Sequence, residues 1–316
     1  MQYGRQSYDR GSFGSGIMDE FKNAFTLPDN GLMQIIFINV AVFIAFMIAK
    51  VILVLSGGES IYDTLLSFVV MPASISAFLH KPWTLITYFF MHEGFMHIII
   101  NMLFLYWFGT IIKDFLGGAK IISLYVLGGI AGGLFYLFIY NFIPFFEDRV
   151  SLSVMLGASA GVYAVVVGAA TLTPNFTMHL LFFGPVRIKY IALFYVLMSF
   201  AQSTGANAGG NLAHLGGAAV GFIFIRQLQT GTDLGVPVHW FLNFIKSFFV
   251  QQPKVRVTYK RSASEKASKA KTATTKSTTS DASQEEIDAI LDKISQHGYE
   301  TLSKEEKQKL FNAGNK

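Results

Sequence analysis

The sequence predicts an all-α, polytopic membrane protein, and three observations predict it. Six apolar stretches, at about 32–55, 95–112, 121–144, 157–172, 188–204 and 211–228, are long enough or nearly long enough to cross ~30 Å of hydrocarbon. None of them contains Asp or Glu. The 316 residues are 52% hydrophobic and only 14% charged, with 31 Phe and 29 Gly, a composition far from that of an ordinary soluble domain. Cysteine is absent, which excludes disulfides, thiolate metal sites and a cysteine nucleophile. Serine is the remaining obvious nucleophile.

Residues 1–30 mix Arg5, Arg10 and Lys22 with Asp9, Asp19 and Glu20 and hold no apolar core of signal-peptide type. They are expected to form a flexible cytoplasmic tail ending in a short amphipathic turn around Phe21 and Phe25. Residues 31–230 then form the membrane domain. With the N-terminus inside, the inward connections carry Lys113 and Lys120, then Arg187 and Lys189, then Arg226, whereas the outward ones after spans three and five offer only Arg149 beside Glu147 and Asp148. The positive-inside rule therefore places both termini in the cytoplasm, and a bacterial plasma (inner) membrane is the expected host. The long first connection, 56–94, carries His80 and Lys81 outside and is too long to weigh heavily.

Past the sixth span, residues 231–250 include an aromatic stretch with His239, Asn243 and Lys246 at helical spacing, too short to span and suited to an interfacial helix. Residues 251–283 hold eight Lys or Arg against Glu265 and Asp281, which predicts a disordered basic linker able to lie on anionic lipid. In 284–316 and just before it, Ser283 with Glu286 and Ser303 with Glu306 read as capping boxes that open short helices. Ile287, Ile290, Leu291 and Ile294 form one apolar face, with Leu302, Leu310 and Phe311 as its partner, predicting a small cytoplasmic helical hairpin. That segment is either a docking module for a cytoplasmic partner or a solvated tail.

Polar groups inside bilayer-spanning helices are costly and point to function by default. Spans two, four and six all run from outside to inside in this orientation, and His97, Ser159 and His214 each fall in about the first turn of one of them. Ser159 lies among small residues, Gly157-Ala158-Ser159-Ala160-Gly161, which is common packing material in membrane helices. His214, Gly217 and Gly221 recur at i, i+3 and i+7, so one helical face offers an imidazole above two bare backbone patches that can pack on the fourth span. An imidazole brought to Ser159 can act as general base and later return the proton to a leaving amine. No acid in the spans can orient His214, so a pair is expected, not a triad. His97 and Asn101 share a face at i, i+4 and suit an oxyanion, with the Ser159 N–H as third donor; interhelical hydrogen bonding is the plain alternative for them. Tyr163, one turn below Ser159, is placed to stack on His214 or simply to pack. His92-Glu93-Gly94-Phe95-Met96-His97 has one residue too many for a zinc-protease helix, and at i, i+5 the two rings would point about 140° apart.

Gly157-x-Ser159, His97-x-x-x-Asn101 and Ala213-His214-x-x-Gly217-x-x-x-Gly221, ordered on spans two, four and six, resemble the rhomboid family of intramembrane serine proteases. Pro82-Trp83-Thr84 through Met91-His92 to Phe108-Gly109 extends the resemblance, which covers about residues 30–230. It implies a rhomboid-like six-helix bundle, a Ser159/His214 catalytic dyad, an oxyanion site from His97 and Asn101, and Tyr163, His92 and Gly157 as supporting positions. It also implies membrane-protein substrates cut near the outer end of a transmembrane helix, within the lipid bilayer. Three departures stand out: Ala160 where many members have glycine, Thr84 after Trp83 where many have arginine, and Lys113-Asp114 where a glutamate is common. A non-catalytic relative that binds transmembrane helices is the alternative. No metal, nucleotide or organic cofactor and no nucleic-acid partner is implied.

Overall fold

The computed structural model describes residues 16–27, 29–180, 183–249, 284–297, 301–303, 305–307 and 309–310. They belong to two compact units that divide between Gln252 and Pro253. In the first unit, α1 (Ile17–Thr26) lengthens the turn expected around Phe21 and Phe25 into a helix, its Asp19 and Glu20 placed at the positive end of the helix dipole. Phe21 packs on Phe25 and on Phe37 of α2 (Gly31–Leu55).

The long first connection is ordered by short elements: α3 (Glu59–Ser67), β1 (Met71–Pro72), α4 (Ile75–His80), α5 (Thr84–Thr87) and a 3₁₀ turn at Tyr88–Phe90. Trp83 Nε1 donates to the Phe68 carbonyl at 2.8 Å and Thr87 Oγ1 to the Val69 carbonyl at 2.8 Å. Lys81 Nζ donates to the Ser67 carbonyl at 3.1 Å, and Thr84 Oγ1 to the Lys81 carbonyl at 2.6 Å. Trp83, Thr84 and Lys81 thus anchor this connection without an arginine beside the tryptophan.

α6 (Phe95–Leu116) and α7 (Gly118–Phe142) follow, separated by Gly117, whose φ of 83° stops one helix and starts the next. A second 3₁₀ turn, Pro144–Arg149, leads to β2 (Val154–Met155), which pairs antiparallel with β1, Met71 opposite Met155. Then come α8 (Ser159–Leu172), a hairpin of β3 (Thr177–Leu180) and β4 (Gly184–Arg187), α9 (Ile188–Ala201), α10 (Ala208–Gln229) and α11 (Val236–Phe249). The all-α expectation is amended by these two small ladders, too short for an alternating pattern to be read in the sequence.

Among the described residues, four helices, α2, α6, α7 and α10, are long and apolar enough to cross a membrane. The fourth and fifth apolar stretches, expected to span as well, fold as α8 and α9 of 14 residues each. The chain is an integral, multi-pass membrane protein, and the helices sort by what they touch. α2 buries only Gly31, Leu32, Ile35 and Asn39, while Ile48, Val51 and Ile52 are exposed. α7, α8 and α10 form the centre. Helix association in lipid relies on close van der Waals contact, and glycine supplies it here. A Cβ on Gly217 would collide with the backbone of Ala160, one on Gly221 with the backbone of Ala164, and one on Gly132 with the Ala160 methyl at 2.5 Å and the Ala213 carbonyl at 2.8 Å. Gly132 therefore makes the room that the Ala160 methyl requires.

The connection before α11 is tied to α7 by the Lys120–Asp233 ion pair, and α11 itself by Ser123 Oγ with His239 Nε2 at 3.0 Å. The Lys120 ammonium holds the Asp233 carboxyl below its ordinary range. Trp240, Phe244 and Phe248 remain exposed along α11. In the second unit, α12 (Gln284–His297) buries Ile290, and Leu302 is buried too. The Ser303 N–H donates to Glu306 Oε2 at 2.7 Å and the Glu306 N–H to Ser303 Oγ at 3.2 Å, the reciprocal bonds of a capping box. Ser283, Phe311 and the linker 251–283 lie outside the described residues.

Replacing Gly217 with valine forces α10 off α8, and a loss on the order of 1–3 kcal/mol is expected from overpacking. A thermal unfolding midpoint in detergent well below that of wild type checks this, while Gly16→Val, with nothing within 4 Å and an ordinary φ, serves as the control for side-chain size.

Candidate active site

His97, Asn101, Ser159 and His214 each stand in the first two turns of their helices, and three helices bring those ends together. Ser159 is the first residue of α8 because Gly157, at φ 133°, turns the chain out of the β1–β2 ladder and into the helix. The Gly157 N–H donates to the Tyr88 carbonyl at 3.0 Å, and the Ala73 N–H to the Ser153 carbonyl at 3.0 Å, so the approach to Ser159 is bonded to the first connection. α10 begins at Ala208, three residues before the apolar pattern suggests, which puts His214 in its second turn. Gly217 and Gly221 below it seat this face on α8.

The result is a direct contact: Ser159 Oγ lies 2.7 Å from His214 Nε2. Tyr163 lies face to face with His214, ring centroids 4.2 Å apart and planes 10° apart, which holds the imidazole flat. On the other ring nitrogen, Nδ1 is 3.1 Å from Ser199 Oγ of α9. Sequence reasoning looked for an acid at that place and passed over Ser199. The available signal was that Ser199 is the one serine or threonine in α9, near its end.

His97, on α6, has its ring against Gly157: a Cβ there would sit 3.0 Å from Cε1 and 3.1 Å from Nε2 of His97, and 3.6 Å from Ser159 Oγ. Asn101 Nδ2 donates to the His97 carbonyl at 2.8 Å, which orients the amide and leaves one of its N–H bonds over. The N–H of Ser159, at the start of α8, has no carbonyl one turn earlier within the helix to meet it. These donors and the Ser159 hydroxyl share a cavity of about 790 Å³ with Tyr163, Tyr195 and His214.

His92 lies in the first connection, just ahead of α6. Gly94 is fully extended (φ −158°, ψ 172°), so α6 starts at Phe95 and His92 precedes it; the 140° separation computed for one helix does not apply. The His92 and His97 rings meet edge to face, 5.3 Å apart. Both His92 nitrogens are buried without a hydrogen-bond partner among the described residues. Burial first, and the neighbouring His97 second, push the His92 pKa down to about 4, so this ring is neutral at pH 7. It does not reach Ser159.

Chemically, the cavity offers a hydroxyl on an imidazole acceptor, several N–H donors converging beside it, and apolar walls. That combination fits attack on a carbonyl carbon.

Residues 79–229 match the family model for the Rhomboid domain, and residues 279–312 match one described as a family of unknown function, DUF6576. Among curated proteins, the chain is 34% identical over 158 residues to RHOMBOID-like protein 12, mitochondrial, of Arabidopsis thaliana, covering 47% of each chain. It is 32% identical over 138 residues to Rhomboid protein 1, mitochondrial, of Saccharomyces cerevisiae, covering 43% of this chain and 38% of that one. It is 29% identical over 161 residues to Rhomboid-like protein 16, chloroplastic, of Arabidopsis thaliana, covering 47% and 49%. The aligned part spans about half the length of the relatives it matches or less. With the match running from the first connection through α10, across every residue of the cavity described above, residues 79–229 form a domain of the rhomboid family.

Proposed function

We propose that the chain is an intramembrane serine endopeptidase that cuts transmembrane segments of membrane proteins. The observation that carries this is the 2.7 Å contact between Ser159 Oγ and His214 Nε2 within a cavity that also holds His97 and Asn101. Ser159 attacks the scissile carbonyl carbon as its proton passes to His214 Nε2. The carbonyl π pair moves onto oxygen, which the Ser159 N–H, the His97 ring and the free Asn101 N–H receive. His214 returns the proton to the leaving amine, and water then releases the acyl group from Ser159 by the same route in reverse. Tyr163 keeps the imidazole in plane with the hydroxyl. Gly157 is needed twice, for its positive φ and for the space occupied by the His97 ring. A helix-binding protein without catalysis would have no need of this contact.

α8 and α9 complete a six-helix bundle in this proposal, as short spans inside it. Lys113, Lys120, Arg187, Lys189 and Arg226 then mark the inner face, with both termini on that side and the cavity toward the outer one. A bacterial plasma membrane remains part of the proposal on the sequence alone; the mitochondrial and chloroplastic names of the relatives describe those proteins and lend it no support. The Lys293–Glu306 and Lys309–Glu286 ion pairs support a small helical hairpin at the C-terminal end.

A serine-directed fluorophosphonate should label the wild-type protein in detergent and fail to label Ser159→Ala or His214→Ala; strong labelling of either folded variant rules the pair out. Cleavage of a reconstituted single-pass substrate should fall on the order of 10²- to 10³-fold in kcat for His97→Ala or Asn101→Ala, the usual cost of one oxyanion donor. Gly157→Ala should lose comparable activity through the displaced His97 ring, with Ser159 still present, a difference that steady-state kinetics on the purified variants can read.

A further inference from the structure

Two hydroxyls behind His214 remain unused by the mechanism above. Ser199 is buried, 2% exposed, and its Oγ sits 3.1 Å from His214 Nδ1 and 2.8 Å from the Tyr163 hydroxyl. The Tyr163 hydroxyl in turn faces the Tyr195 carbonyl at 3.4 Å. Serine and threonine in helices commonly give their proton to the carbonyl four residues back, as Thr110 and Thr171 do here at 2.7 Å. For Ser199 that carbonyl belongs to Tyr195. Ser199 directs its hydroxyl to Tyr163 instead, and Tyr163 occupies the Tyr195 carbonyl.

The direction of each bond follows from the end of the chain. A carbonyl oxygen can only accept, so the Tyr163 O–H donates to Tyr195. Having used its one proton, the Tyr163 oxygen accepts from the Ser199 O–H. Ser199 then has only lone pairs left for His214, and Nδ1 must carry the hydrogen and donate to Ser199 Oγ. Neutral imidazole has one N–H, so Nε2 is left as the acceptor that faces Ser159. The opposite sense would put the proton on Nε2 and leave the Ser159 hydroxyl with no base. We infer that Ser199 is a positioning residue for His214, and that the Ser199–Tyr163–Tyr195 carbonyl relay selects the Nδ1–H tautomer, the part an acid plays in a Ser-His-Asp triad. When His214 takes the Ser159 proton, both nitrogens carry hydrogen, and the Nδ1–H bond to Ser199 persists as a charge-assisted one. Proton count is conserved throughout: the hydrogen on Nδ1 never moves.

The inference rests on the proposed catalytic pair, and two independent readouts separate their failures. Full-length protein carrying ¹⁵N-histidine in nanodiscs reports the tautomer of His214 whether or not the protein cleaves anything, with the resonance assigned by its loss in His214→Gln. Wild type should show the Nδ1–H form, and Ser199→Ala should show a mixture or the Nε2–H form. In cleavage of a reconstituted single-pass substrate, Ser199→Ala should lower kcat about 10- to 100-fold with KM little changed, the scale of one buried hydrogen bond to a group that becomes charged. Ser199→Thr, which keeps the hydroxyl, should recover most of that loss. A wild-type His214 protonated on Nε2, or a folded Ser199→Ala with wild-type kcat, would overturn it. Wild type that shows the Nδ1–H form yet neither cleaves nor takes the fluorophosphonate leaves the relay intact and removes the endopeptidase proposal.

Discussion

Backbone-to-backbone contact among α7, α8 and α10 is the constraint on which the rest depends. Between apolar helices in lipid there is no hydrophobic gain from association, so tightness of fit has to supply the energy. Gly217 and Gly221 let α10 lie directly on the Ala160 and Ala164 carbonyls, and Gly132 lets α7 close on both. An extra methyl at any of the three would open the junction. The 2.7 Å spacing of Ser159 and His214, one turn above, is the visible product of this packing and needs no further support from charge. It also explains how alanine can stand at position 160: its methyl is housed by a missing one across the interface.

A second feature is the uneven distribution of polar atoms. Asn39, Tyr125 and the Phe89 carbonyl form a buried cluster, with Tyr125 Oη donating to the Phe89 carbonyl at 2.6 Å and Asn39 Nδ2 donating to Tyr125 Oη at 3.0 Å. Tyr88 Oη donates to the Gly129 carbonyl at 2.6 Å. These bonds fasten the end of the first connection to α7 and α2, and the β1–β2 ladder fastens its middle to the strand before Ser159. Ser159 is thus fixed from two directions, by helix packing below and by the first connection above. The polar groups of this cluster, costly in hydrocarbon, are satisfied by one another, whereas the His92 nitrogens and the Tyr136 hydroxyl are buried without a hydrogen-bond partner among the described residues.

Much of this was legible in the chain, for definable reasons. Glycine at i+3 and i+7 from His214 is a packing signature, and Tyr163 one turn from Ser159 can hardly avoid a ring on the facing helix. Ser199 was passed over because a hydroxyl within a helix reads as bonded to its own backbone, and only the three-dimensional arrangement shows otherwise. His92 falls in the first connection, as the start of the apolar stretch at 95 implies, and the extended Gly94 separates it from α6. The start of α10 was set late because Ala208-Gly209-Gly210 has weak helix propensity and little apolar periodicity; neighbours, not local preference, make it helical. Two-residue strands carry too few positions to show alternation at all.

The shortness of α8 and α9 has a consequence for the surrounding lipid. At 14 residues each, they rise about 21 Å against ~30 Å of hydrocarbon. α8 is enclosed by protein and escapes the difference, whereas α9 presents Leu193, Phe194, Leu197 and Phe200 outward, each more than half exposed. On a six-span arrangement, acyl chains along that flank must shorten, tilt or give way to headgroups, at a cost of fractions of a kcal/mol per Å of mismatch. Bilayer thickness then acts on one side of the molecule alone, and it acts on the helix that carries Ser199.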